Sequence, residues 1–240
     1  MSIQLKPHLK EVNELYNKIN SFDVSVRLQH TYSSVEGVHH YIKEDVRTVF
    51  DTLSKCLELN PGELGGLEDA MHSGDIDFIR LVHEIESIPE DDYQLLYIMS
   101  RPFFRSMKNA VNMDDMSWQD GRCPVCNAVP SLSTLEKESR RKYSCSFCGT
   151  RGYYTRIACP NCLTDDPKNI TVISLDGEEG MRADTCDSCM SYSKTFEGQM
   201  TADNSMDELD IISLPLDIVV QEKGYKRLSP NPVGMINLCP

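Results

Sequence analysis

Eight of the ten cysteines in this 240-residue chain form four Cys-x-x-Cys pairs within one short stretch. The pairs are Cys123/Cys126, Cys145/Cys148, Cys159/Cys162 and Cys186/Cys189, separated by 18, 10 and 23 residues. A Cys-x-x-Cys turn aims two sulfurs at one point, and two such turns supply the four thiolates of a tetrahedral metal site. Two metal ions per chain are therefore expected, with all eight cysteines as ligands. Thiolates suit both zinc and iron, so the donor chemistry leaves the metal open between them. A sphere closed by four cysteines lacks the open position that a catalytic metal keeps for water or substrate. The sequence also contains no HExxH, no glycine-rich phosphate loop and no recognisable nucleophile–base pair. It reads as a binding protein and not an enzyme, with no catalytic residue assigned.

Sequential pairing puts Cys123, Cys126, Cys145 and Cys148 on one metal and Cys159, Cys162, Cys186 and Cys189 on the other. Interleaved pairing, first pair with third and second with fourth, is the alternative. The sequential form is favoured because the 10-residue gap is a natural linker between modules. Gly149 supplies an easy positive-φ position after its pair, and Asn127 can adopt the same conformation. A thiol–disulfide role is the rival use of Cys-x-x-Cys, but that motif normally stands alone in a βαβ context, and four in series fit metal better. The N-terminal stretch has no apolar core of a signal peptide, and no run of roughly 18 apolar residues is present to span a membrane. The expectation is a cytoplasmic protein with reduced, metal-bound cysteines and no membrane insertion.

Charge narrows the partners. The net charge is −13, and residues 117–200, which hold the cysteines, carry 10 Lys and Arg against 11 Asp and Glu. Nucleic-acid-binding ribbons draw most of their affinity from phosphate contacts and are basic. Nucleic acid is thus not expected as a partner, although Arg140, Arg141 and Lys142 form a local basic run. Oligomeric state is not readable.

The elements that must carry these turns are mixed. Apolar spacings of three and four predict helices over residues 5–19, 38–57, 67–74, 75–85 and 89–111, with Pro102 bending or restarting the last. His39, His40, His72 and His83 fall on these helices and read as solvated or core residues. Cys56 reads as a small packed residue and Cys239 as mobile. Residues 112–119 form a polar hinge. Short hairpin strands are expected around Lys142–Ser144 and Thr171–Leu175, and a tail helix over 207–224 that Pro215 breaks or begins. The fold class is α+β: an N-terminal α-helical bundle (1–116), two small rubredoxin- or zinc-ribbon-like modules (117–155 and 156–200), and a C-terminal helical tail (201–240).

The chain resembles the formate dehydrogenase accessory proteins of the FdhE type. The likeness runs through Gly121-Arg122-Cys123-Pro124-Val125-Cys126, Pro130, Arg141, Tyr143, Cys145-Ser146-Phe147-Cys148, Arg156, Arg182, Cys186-Asp187-Ser188-Cys189, Tyr192 and Lys194. It continues in Leu216-Asp217-Ile218, Glu222-Lys223-Gly224-Tyr225 and Asn231-Pro232, with Arg101-Pro102-Phe103 upstream. Asn127 and Leu163 stand where glycines are expected, and Gly152 where tryptophan is. The resemblance implies iron in two rubredoxin-like modules. It implies a cytoplasmic accessory factor that binds the catalytic subunit of formate dehydrogenase, a molybdenum- or tungsten-containing protein, during maturation. On the same resemblance, Cys186, Asp187, Cys189 and Tyr192 are expected nearest that client. A rubredoxin-like electron carrier is the alternative function.

Overall fold

The computed structural model describes residues 43–56, 66–75, 78, 80–83, 88, 90–111, 113–136 and 140–239. The helix expected over residues 5–19, and His39 and His40, lie outside them.

Among the described residues four helices come first: α1 (Lys43–Cys56), α2 (Leu67–Ser73), α3 (Arg80–His83) and α4 (Glu90–Val111). Val46, Val49, Phe50 and Leu53 of α1 are buried, which is the three-and-four spacing of one apolar helix face. Gly74 ends α2 in the left-handed conformation, φ 81°. The expected restart at Pro102 does not occur, because α4 runs through it unbroken. A proline inside a helix costs about 3 kcal/mol. Phe103, Phe104 and Met107 beside it are fully buried, and each such side chain contributes about 1.5–3 kcal/mol. Packing therefore outweighs the broken helix hydrogen bond.

The expected hinge is not loose either. Met116–Ser117 is strand β1, and Trp118 is buried. There follow β2 (Leu132–Leu135), β3 (Arg141–Ser144), β4 (Arg151–Tyr154), β5 (Ile170–Ile173), β6 (Met181–Cys186) and β7 (Ser191–Phe196). Helices α5 (Gln199–Asp203), α6 (Met206–Ile212) and α7 (Leu214–Glu222) and strand β8 (Lys226–Arg227) complete the order. The tail is thus three short helices where one was expected. Ser205 caps α6 with a capping box to Glu208, and Pro215 sits in the first turn of α7, where a missing N–H costs nothing.

All eight strands share one sheet, ordered β1-β4-β3-β2-β7-β6-β5, with β8 also pairing β7. The β2–β3, β3–β4, β5–β6 and β6–β7 pairs are antiparallel. The parallel β2–β7 pair, Leu132 opposite Lys194 and Thr134 opposite Phe196, joins the strands of the two cysteine units. No break in the sheet separates residues 117–155 from 156–200.

The seam is reinforced by polar side chains. Arg141 on β3 donates to the carboxylate of Asp184 on β6 at 2.8 Å, and both are nearly buried. Thr195 donates to the same carboxylate and lies 2.8 Å from the Ser133 hydroxyl. A second buried network ties the tail to β7. Lys194 Nζ lies 2.6 Å from Asp210 Oδ1 and 2.5 Å from Asp217 Oδ2. Arg227 reaches the same two carboxylates at 2.6 and 3.0 Å, and the Tyr192 hydroxyl donates to Asp217 at 2.7 Å. All four charged side chains are at most 1 % exposed. Such burial is tolerable only because each charge has an opposite partner and each partner is hydrogen-bonded.

Candidate metal centres

Each Cys-x-x-Cys pair sits in a turn of the same construction. In the first three, the backbone N–H four residues after the leading cysteine donates back to that cysteine's carbonyl: Asn127 to Cys123 at 2.8 Å, Gly149 to Cys145 at 2.9 Å, Leu163 to Cys159 at 3.0 Å. The leading cysteine's own N–H donates to the carbonyl one residue further on, from Ala128, Thr150 and Thr164. The residue after the second cysteine has positive φ in all four turns: Asn127 61°, Gly149 75°, Leu163 62° and Met190 53°. Asparagine and leucine thus adopt the conformation for which glycine was expected. A leucine held there costs about 1–2 kcal/mol.

These turns bring the sulfurs together sequentially, not interleaved. Cys123, Cys126, Cys145 and Cys148 form one group and Cys159, Cys162, Cys186 and Cys189 the other, each with all sulfurs within 4.8 Å of one another. In the first, Cys123–Cys148 and Cys126–Cys145 are 3.4 Å apart and Cys126–Cys148 3.8 Å. In the second, Cys159–Cys189 and Cys162–Cys186 are both 3.6 Å apart. These separations are far too long for disulfides. With a zinc–sulfur bond near 2.3 Å, the edge of a regular tetrahedron is about 3.8 Å, so both groups fit a tetrahedral divalent ion. Zinc or ferrous iron would be held by the four sulfurs of each group, and iron would add the capacity for one-electron chemistry.

Acidity points the same way. Burial pushes the Cys123 and Cys126 thiols well above their ordinary range. At Cys148, burial is outweighed by hydrogen bonds from Cys123, Cys126, Cys145 and Thr150, which hold it well below. Burial raises Cys159 to about 12. At Cys189 it is overcome by hydrogen bonds, that of Ser191 first, to about 7. Cys148 and Cys189 are thus eased toward the thiolate, the form in which cysteine binds a metal.

The two centres differ in cover. Around the first, helix α4 lies directly on the second turn. The Tyr97 hydroxyl donates to Ser146 O at 2.9 Å, Phe147 meets Tyr97 and Phe104 edge-on at 5.2 and 5.4 Å, and Lys108 donates to Gly149 O at 3.2 Å. All four sulfur-bearing residues there are buried. Among the described residues, no helix lies on the second centre in this way. Cys162 is exposed, Cys189 half-buried, and the neighbouring Leu163 and Met190 are 51 % and 40 % exposed.

Other sequence candidates resolve differently. Asp187 accepts from Tyr225 at 2.6 Å and Thr171 at 3.4 Å through its side chain. The basic run is dispersed: Arg141 pairs with Asp184, Lys142 with Asp115 and Glu136, and Arg140 lies over the Tyr153 ring at 3.8 Å. His72 contacts Asp51 at 2.9 Å. Cys239 is half-buried, its sulfur 3.5 Å from Ile218 O. Residues that sequence reasoning passed over are Thr150 and Ser191. Thr150 Oγ1 lies 3.1 Å from Cys148 Sγ and Ser191 Oγ 3.0 Å from Cys189 Sγ. The signal was present, since each hydroxyl residue stands two positions after the last cysteine of its unit.

Paired turns, four sulfurs at each of two points and a joining sheet define a protein with two four-cysteine centres. Residues 157–233 match the FdhE C-terminal domain. A Protein FdhE homolog from Pseudomonas aeruginosa is 37 % identical over 121 residues, 45 % of this chain and 38 % of that protein. One from Aquifex aeolicus is 28 % identical over 156 residues, 62 % of this chain and 55 % of that protein. The crystal structure of the FdhE protein from Pseudomonas aeruginosa has the same fold, with TM-score 0.61 over 94 % of this chain and 87 % of that one, at 19 % identity. The chain is thus similar to the FdhE proteins in its cysteine-bearing half and in fold. Its match spans about half or less of the length of these two sequence relatives. Among the described residues, no helix is long and apolar enough to cross a membrane.

Proposed function

We propose that this chain is a cytoplasmic accessory factor for formate dehydrogenase that binds the catalytic subunit during maturation, and that its eight paired cysteines hold two metal ions, iron or zinc. The observation that carries the proposal is the FdhE C-terminal domain over 157–233, which encloses the whole second four-cysteine group. The closed four-sulfur donor set supports a non-catalytic role, since neither centre keeps a position for substrate. Dispersal of the basic run into ion pairs supports a protein partner over nucleic acid. The uncovered second centre, with Cys162 exposed, is the face a client would meet.

Anaerobic affinity capture of the tagged chain from its native cells, with mass spectrometry and metal analysis, tests this. Recovery of a formate dehydrogenase catalytic subunit with about two metals per chain, as two closed sites require, supports it. Metal-loaded chain with no such subunit overturns the client assignment. The exposed sulfur edge also favours a second function, electron transfer through iron. A colourless, zinc-loaded native protein eliminates it.

A further inference from the structure

Both four-cysteine groups carry the same feature outside their ligand sets. In each unit the second turn is a hairpin tip, Cys145–Cys148 between β3 and β4 and Cys186–Cys189 between β6 and β7. In each, the hydroxyl residue two positions beyond the tip's last cysteine turns its oxygen onto that cysteine's sulfur. Thr150 Oγ1 is 3.1 Å from Cys148 Sγ, and the Thr150 backbone nitrogen is 3.5 Å from the same sulfur. Ser191 Oγ is 3.0 Å from Cys189 Sγ and 3.8 Å from Cys159 Sγ, so it bridges two sulfurs of one group. Thr150 is fully buried and Ser191 nearly so. The first turns have no counterpart at the first centre, where the equivalent position is Ala128.

The direction of these hydrogen bonds follows from chemistry. As a thiol, Cys148 donates to Thr150 Oγ1, and either atom can donate between Ser191 and Cys189; a metal-bound cysteine has lost its proton, so its sulfur can only accept, and the hydroxyl must then donate. A donor aimed at a thiolate withdraws charge from it. The Thr150 bond is buried and is strengthened by its low-dielectric surroundings; the Ser191 bond, at half-buried Cys189, is strengthened less. Groups beyond the ligands that hydrogen-bond to them fix their orientation and tune the metal. Hydrogen bonds to cluster sulfurs likewise set reduction potentials in iron–sulfur proteins.

On the reading that the two groups hold metal, we propose that Thr150 and Ser191 are positioning residues that tune the two centres separately, each donating its hydroxyl hydrogen to a cysteine sulfur. Thr150 acts on Cys148 alone. Ser191 acts on Cys189 and Cys159, leaving Cys162 and Cys186 without a hydroxyl donor among the described contacts. Charge is therefore unevenly shared at the second centre, and of its two electron-richer sulfurs the one on Cys162 faces solvent.

The test uses the full chain loaded with cobalt(II), whose sulfur-to-metal charge-transfer bands report thiolate charge. The wild type, T150V, S191A and the conservative variants T150S and S191T are compared, with cobalt affinity measured by chelator competition. Uptake of two cobalt ions with tetrahedral thiolate spectra checks metal binding itself and is independent of the variants. Expected for S191A is a shift of the bands and a loss of affinity on the order of 10- to 100-fold at one site only, with S191T restoring both. T150V is expected to do the same at the other site, and T150S to restore it. Bands and affinities unchanged in S191A, with two cobalt ions bound, overturn the proposal. Equal effects of S191A and S191T overturn it too, because they indicate packing and not the hydroxyl. Should T150V fail to fold, S191A and S191T decide alone, at a turn that no helix among the described residues covers.

Discussion

The indole of Trp118 fills the space a side chain at Gly152 would need. A Cβ at 152 would lie 2.0 Å from Trp118 Nε1, 2.5 Å from its Cδ1 and 2.6 Å from Met116 O. Trp118 also stacks on Tyr143, with ring centroids 6.4 Å apart and planes at 23°. The family likeness led us to expect tryptophan at 152. Here the indole comes from the residue just after β1, and the neighbouring strand β4 gives way with a glycine.

Gly152→Ala is therefore expected to destabilise the chain by about 1–3 kcal/mol, the usual cost of overfilling a packed site. Trp118 is the chain's one tryptophan, so its fluorescence reads this contact directly. Urea unfolding of metal-loaded protein should give a lower midpoint and a red-shifted native emission. An unchanged midpoint would mean that the strand pair yields without cost.

Leu163 and Met190 hold left-handed backbone that glycine adopts freely. Leu163→Gly should raise stability by about 0.5–1 kcal/mol, the left-handed penalty removed less the entropy glycine loses on ordering. Gly149→Ala at the matching turn should lower stability by about 1 kcal/mol. Thermal or chemical unfolding with metal held in excess separates the two signs.

Asp210 connects stability to pH. Burial raises its carboxyl, but Arg227 and Lys194 outweigh this and hold it below the ordinary 3.8. A depressed carboxylate contributes stability that is present above its unfolded value and lost as pH falls through its lower folded value. The stability gap between wild type and Asp210→Asn should thus stay constant from neutrality down to about pH 4 and narrow only below it. At neutral pH the gap should be about 3–5 kcal/mol, because Lys194 and Arg227 would share one remaining carboxylate. Parallel unfolding of both proteins from pH 7 downward measures it, and metal loss in acid affects both alike.

The unequal cover of the centres predicts unequal release. With Cys162 exposed and the first group wholly buried, a chelator should strip the second centre first and leave about one metal per chain at an intermediate time. Time-resolved metal analysis against a chelator shows whether release comes in two phases. Cys162→Ser should abolish the fast phase and leave the slow one.

The two four-cysteine groups were legible in the sequence because their spacing is local. Two cysteines three residues apart declare their turn wherever the chain later runs. Helix α1 was legible for a similar reason, since the spacing of Val46, Val49, Phe50 and Leu53 repeats within one helix. Leu163 and Met190 gave no sign of left-handed backbone, because apolar side chains do not favour it and the turn imposes it. Nothing local in the sequence marks Lys194, Asp210, Asp217 and Arg227 as buried partners. Only the folded chain shows that two cations and two anions cancel out of contact with water. The β2–β7 pairing was equally hidden, since its register is set between segments that no local pattern relates.

That pairing has a bearing on how the chain is made. Ser133 and Thr195, hydrogen-bonded across it, stand 62 positions apart. Strand β2 therefore leaves the ribosome, and closes its hairpin with β3, well before β7 exists. Until then one row of its N–H and C=O groups lies bare, an open template for another chain. Antiparallel pairing with β3 forms from near neighbours, whereas the parallel seam must await a distant one. The interval between the two is when a nascent chain of this kind is most exposed to mispairing, and it ends with synthesis of the second cysteine unit.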